Sequence, residues 1–131
     1  MGISSDLQRV IVARLKAAAP MLAGRVYDRK PPESAAMPYA RVGPAYGVDD
    51  SAECIDAEEI TLQIDVFASS YPDSRVINDA TGEVKRALKG WADTAALTMH
   101  PLRVSLWRVE DDPDPAVLHG VVQVEAMVED G

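Results

Sequence analysis

Cysteine is almost missing from this chain: Cys54 is the only one. No intrachain disulfide can form, and no cysteine-based zinc site can be built. A lone thiol fits a reducing compartment. Histidine is nearly as scarce, with His100 and His119 alone. Paired with Asp111 or Asp112 they could in principle hold a metal, but their spacing matches no ligand motif, so they read as surface or strand-end residues. No apolar run approaches the ~20 residues that a membrane-spanning helix requires. The start, Met1-Gly2-Ile3-Ser4-Ser5-Asp6, lacks a basic segment followed by an apolar one, so no signal peptide is expected. It also has Asp6 where a myristoylation start carries Ser or Thr. Basic charge is short, 13 Lys plus Arg against 21 Asp plus Glu for a net charge of −8. That balance argues against sequence-specific nucleic-acid binding, because affinity for phosphate rests largely on basic side chains.

Catalytic signatures are missing too. There is no phosphate-cradling G-x-x-x-x-G-K-[ST], no G-x-G-x-x-G and no G-x-S-x-G. Cys54 lies in an acidic segment, and neighbouring carboxylates raise a thiol's pKa, the reverse of what a nucleophile needs. The run Glu110-Asp111-Asp112-Pro113-Asp114 lacks the alternating ligands and glycine of an EF-hand loop. Aromatic residues make up only 5% of the chain, so Trp91 and Trp107 read as core or interface anchors and not as a ligand cage. The expectation is a protein without catalytic, cofactor-binding or metal-binding residues, and not an enzyme.

What is present is one patterned domain over residues 1–131, long enough to bury a core without staples. Ser5 and Gln8 form an S-x-x-Q capping box ahead of Leu7, Val10, Ile11, Leu15 and Ala18, which recur at helical spacing until Pro20 and Gly24 close the element. A short extended piece, Arg25 to Asp28, precedes a link bearing Pro31, Pro32 and Pro38, which cannot be regular structure. Tyr39 to Val42 is a strand, and the acidic stretch 48–56 reads as a loop or a long hairpin arm. The strongest signal is Glu59 to Phe67, where Ile60, Leu62, Ile64 and Val66 alternate with polar residues, the period of a sheet with one buried face. Asp73 or Ser74 caps a second helix with an apolar stripe from Val76 to Leu88. Lys85, Arg86 and Lys89 fall near its end, where the dipole favours cations, and Gly90 suits its C-cap. Strands over 102–107 and 122–129 flank the rigid turn 111–115, with Gly120 marking a bulge. The order predicts an α+β fold, an antiparallel or mixed sheet with both helices on one face.

The run Arg25-Val26-Tyr27-Asp28, the proline-bearing link, Pro38-Tyr39-Ala40-Arg41-Val42-Gly43, the Ser74–Leu88 helix and the closing His119-Gly120-Val121-Val122 strand resemble the DUF3168 family from about Leu7 to Glu129. These are tail-completion (tail-terminator, head–tail joining) proteins of long-tailed bacteriophages and prophages. The resemblance implies an α+β subunit that forms a ring, a hexamer in the best-known relatives. That ring caps the tail tube and meets the head connector, assembling in the bacterial host cytoplasm and staying in the virion tail. The partners so implied are further copies of the chain, the tail-tube protein and the head–tail connector protein. A ring requires unlike patches that meet on neighbouring copies, and the candidates are basic Arg25, Arg29 and Lys30 and acidic Asp49, Asp50, Glu53, Asp111, Asp112 and Asp114. A small α+β ligand-binding or regulatory domain acting as a dimer is the alternative.

The alternation in the Glu59–Phe67 strand generates a direct test. Leu62→Asp or Ile64→Asp is expected to abolish folding, because an unpaired buried carboxylate costs several kcal/mol against a total stability of about 5–15 kcal/mol. Gln63→Asp, on the other face, is expected to leave the melting transition in place. A native-like melt of Ile64→Asp overturns the assignment.

Overall fold

The computed structural model describes residues 3–43, 46–49, 57–93 and 99–129. Helix α1 spans Ile3–Ala18 and buries Leu7, Val10, Ile11 and Leu15, the stripe that the spacing predicted. The capping box does not form. Helix α1 begins at Ile3, ahead of Ser5, and the Gln8 amide is drawn to carbonyls outside the helix instead. Its Nε2 donates to Val42 O at 3.0 Å, with Asp28 O and Gly43 O also in range, so one side chain ties α1 to the two strands beneath it. A short 3-10 turn, Pro20–Leu22, follows and leads into β1 (Val26–Tyr27) and β2 (Tyr39–Val42).

Strands β3 (Tyr46–Asp49), β4 (Ala57–Ser69), β5 (Arg103–Asp111) and β6 (Val117–Glu129) complete, among the described residues, a six-stranded mixed sheet. The order is β1-β2-β4-β6-β5, with β3 also paired to β4. Only the β1–β2 pair is parallel. β2 and β3 lie along the same edge of β4. Val42 faces Ile64 and Tyr46 faces Thr61, so the outer chain gains one residue between them. Strand β4 is longer than its alternation alone suggested, because every one of its residues has a partner in β6, from Ala57 opposite Glu129 to Ser69 opposite Val117.

Helix α2 spans Arg75–Leu88. Its first N–H, that of Arg75, is taken by Asp73 Oδ1 at 2.9 Å, whereas Ser74 makes no side-chain cap. At the other end Gly90 adopts a φ of +76°, a left-handed conformation that glycine takes without steric penalty, and donates to Leu102 O. Arg14 Nε donates to Ala87 O at 2.8 Å and its guanidinium lies over Trp91, while Glu83 accepts the Met21 N–H. These contacts clamp α1 and the 3-10 turn onto α2.

Both helices cover one face of the sheet. Leu7, Ile11 and Leu15 meet Ile77, Val84 and Leu88 there, over Ile60, Leu62, Ile64, Val66, Val122 and Val124. Leu62 and Ile64 are fully buried and Gln63 is exposed. Full burial of each such aliphatic side chain contributes roughly 1.5–3 kcal/mol.

The expected bulge at Gly120 lies elsewhere: the register shifts in β5, between Val104 and Leu106. Val121 and Val122 break the alternation because both are fully buried, Val122 under the helices and Val121 on the opposite face. Gly120 serves close packing. A Cβ there would stand 2.0 Å from Thr81 Oγ1 on α2, so the helix and strand approach only because that position is bare. Gly120→Ala is expected to cost about 1–3 kcal/mol by overpacking. Thr81→Ala removes the obstructing hydroxyl, which is buried without a partner, and is expected to restore part of that loss in the double variant. Denaturant unfolding of the four proteins measures the coupling. Strict additivity refutes the contact.

Candidate assembly surfaces

The face of the sheet away from the helices takes its side chains from the odd positions of β4 and the residues opposite them. Tyr39 stacks on Phe67 with ring centroids 5.2 Å apart, and Phe67 stacks on His119 at 4.6 Å. Tyr27 meets Tyr39 edge-on. The result is a ladder of rings running across β1, β2, β4 and β6. Beside it His119 Nε2 lies 2.7 Å from Asp65 Oδ1, both side chains being largely buried, and Gln63 donates to the same carboxylate oxygen. Farther along, Arg103 bonds Glu125 and approaches Glu59, and Arg108 pairs with Glu110 at 3.2 Å. Arg103, Glu59, Glu125, His100, Pro101 and Met127 line a shallow hollow of about 330 Å³. Charges on this face are therefore mostly paired with each other.

The turn between β5 and β6 is built by its own aspartates. Asp112 Oδ2 accepts the Asp114 N–H, Asp114 Oδ1 accepts the Ala116 N–H, and Ser70 bonds the carbonyls of Ala116 and Pro115. One oxygen of each carboxylate is spent on shaping the turn, with Asp114 exposed and Asp112 half-buried. The Tyr39 phenol is pushed above its ordinary pKa, first by burial, then by the charge of Asp112 and by Tyr27.

On the helix side, Asn78, Gly82, Lys85 and Arg86 of α2, Lys89 just past its end and Trp107 of β5 line an open groove of about 610 Å³. Trp107 faces Val122 across the ladder, which puts its ring at the rim beside α2, 54% exposed. Lys85 Nζ sits 5.1 Å from the ring centroid. Such a cation–π contact is worth about 0.5–1 kcal/mol at an exposed site.

The family model of "Tail completion protein gp17" matches residues 9–129. The chain belongs to that family. It is a phage-type tail protein with a structural role, and it has the α+β fold expected of it. A chain in the solved "Virion of native gene transfer agent (GTA) particle" superposes with a TM-score of 0.80 at 21% identity, covering 99% of this chain and 100% of that one. A second solved structure superposes with a TM-score of 0.59 at 20% identity, over 99% of this chain and 98% of that one. At those identities the likeness is one of fold. No curated protein matches the chain, and no helix among the described residues is long and apolar enough to cross a membrane.

Within this tail-completion fold the residues singled out from sequence are scattered. Arg25 is turned inward, its Nε donating to Pro38 O at 2.9 Å, so it holds the link onto β1. Arg29 is exposed, 3.7 Å from Asp28, and Lys30 is exposed beside it. Asp49 closes β3 opposite Glu58. Asp50 and Glu53 lie outside the described residues. Asp111, Asp112 and Asp114 cluster at the turn. His100 bonds Glu129 near the end of β6 where His119 is not, and the two histidines sit roughly 30 Å apart by strand rise. Sequence reasoning assigned Lys85, Arg86 and Lys89 only to the helix dipole. Their neighbour Trp107 was flagged as an anchor, but nothing local joined it to α2.

The Tyr39 environment yields a pH test. A phenol whose folded pKa exceeds its unfolded one stabilises the fold below the unfolded value of about 10, and that contribution disappears as pH rises through the folded value. Tyr39→Phe is expected to flatten the fall in melting temperature above pH 10 and to remove from an ultraviolet titration a phenol that ionises above its ordinary range. Identical high-pH profiles for the two proteins contradict the placement.

Proposed function

We propose that this protein is a tail terminator: copies assemble into a ring, a hexamer by the family resemblance, that caps the tail tube, stops its growth and offers a surface to the head connector. Assembly takes place in the bacterial host cytoplasm and the ring remains in the virion tail. The observation that carries this reading is the family match across residues 9–129, nearly the whole chain. The gene transfer agent chain is of the same extent and belongs to a virion, which supports the reading of a particle component.

The physical features agree with action by assembly. A net charge of −8 makes free copies repel until complementary patches meet, so association is expected to depend on ionic strength. A net-acidic ring also repels DNA and would let it pass without trapping it. The test is genetic and structural. Removing the protein from its phage or prophage is expected to give over-long or headless tails in electron micrographs, with enzymatic functions untouched. Light scattering of the purified chain with tail-tube protein is expected to show a ring-sized species. Normal tail length without the protein, together with a chain that stays monomeric in every such mixture, refutes the proposal.

A further inference from the structure

Among the described residues, two clusters of charges form no ion pairs, and they are opposite in sign. Lys85, Arg86 and Lys89 lie within little more than one turn at the end of α2, and none forms an ion pair with another described residue; the same holds for Asp111, Asp112 and Asp114. Most other charged groups of the sheet are engaged, as in Arg103–Glu125, Arg108–Glu110 and His119–Asp65. The two clusters cannot neutralise each other within one chain. Five residues of β5, about 17 Å of strand, separate Trp107 from Asp112, and the groove lies on the helix side while Asp112 acts on Tyr39 of the helix-free side.

We propose that the Trp107 groove receives the β5–β6 turn of a second copy of this chain, with Lys85 and Lys89 meeting Asp111 and Asp112 and the Trp107 ring covered by the incoming turn. The inference rests on the ring reading above and names its contact. Charge complementarity selects the occupant. The chain is acidic overall, the groove is a concentrated cationic patch, and the same chain presents an outward acidic knob already stiffened by its own hydrogen bonds, so little ordering entropy is lost on docking. A half-exposed Trp beside cations is the residue type that anchors interfaces. Among the described residues, strand β5 is the edge of the sheet from Arg103 to Asp111 next to the groove, where an approaching chain can add to the backbone ladder. A groove on one side and a knob on the other make a heterologous contact, which propagates from copy to copy and closes into a ring when the rotation allows.

The test is a charge exchange between two full-length variants. Variant one carries Lys85→Glu and Lys89→Glu; variant two carries Asp111→Lys and Asp112→Lys. Each alone sets like charges against each other and is expected to raise the concentration needed for assembly at least tenfold, read by light scattering and negative-stain microscopy with tail-tube protein present. Mixed in equal amounts they are expected to assemble again, because every contact in an alternating ring then joins opposite charges. Lys16→Glu, exposed on α1 and not among the residues lining the groove, is expected to leave that concentration within a factor of two to three. Wild-type assembly combined with undiminished assembly of either variant alone, or with failure of the mixture when both are folded, overturns the contact and leaves the ring reading standing. No assembly of wild type in any mixture overturns both. Should variant two lose its melting transition, Trp107→Ala decides: a tenfold weaker assembly upholds the contact, and an unchanged one rejects it.

Discussion

The antiparallel ladder between β4 and β6 is the constraint on which the rest depends. It joins Ala57–Ser69 to Val117–Glu129 without a break, and most other elements are placed on one of these two strands, with β1 added through β2 and α1 through α2 and β2. β2 and β3 add to the free side of β4, β5 adds to the free side of β6, and α2 packs across β6 where Gly120 admits Thr81. Register is enforced by burial. A slip of one residue would carry Ile60, Leu62 and Ile64 to the wetter face and bring Glu59, Gln63 and Asp65 under the helices. The pairing that builds the core therefore also composes the opposite face, setting Phe67 against His119 and Thr61 against Glu125.

Much of this was legible where the signal was local. The alternation of Ile60, Leu62, Ile64 and Val66 identified the central strand, and the spacing of Leu7, Ile11 and Leu15 identified α1. The failures share a cause. The Ser5–Gln8 pair has the chemistry of a capping box, but Gln8 is claimed by carbonyls at Asp28, Val42 and Gly43 that are distant in sequence. Gly120 interrupts the pattern of β6 for the sake of a side chain on α2, and no local reading distinguishes that from a bulge. The groove is the extreme case. Lys85 and Lys89 had a sufficient local explanation in the helix dipole, and Trp107 had a generic one. Only the β5 register against Val122, combined with the crossing of α2, puts the ring under the lysine.

The helix-free face and the groove differ in what docking would cost there. On the helix-free face, Arg103 is bound to Glu125, Arg108 to Glu110 and His119 to Asp65, and the rings of Tyr39, Phe67 and His119 already cover one another. A partner landing there would desolvate pairs that have no charge left to offer, and it would gain little Coulomb energy in return. Cations in the groove and carboxylates at the turn stand in the opposite position. In the free chain they form no ion pair with another described residue, Lys85 resting against Trp107 and Asp112 and Asp114 each accepting one backbone N–H, and on meeting they exchange their remaining hydration for an opposite charge. Pairs at an interface rim contribute mainly through encounter rate and the rejection of wrong orientations, so affinity has to come from apolar area, and Trp107 supplies it at the centre of the cationic patch. Assembly built this way stays weak between isolated copies, where one groove meets one turn, and strengthens when closure lets each copy make two such contacts at once. If the proposed contact holds, such a chain would remain dispersed at low concentration and condense where a tube end has gathered its copies, which is the behaviour that the proposed terminator role requires.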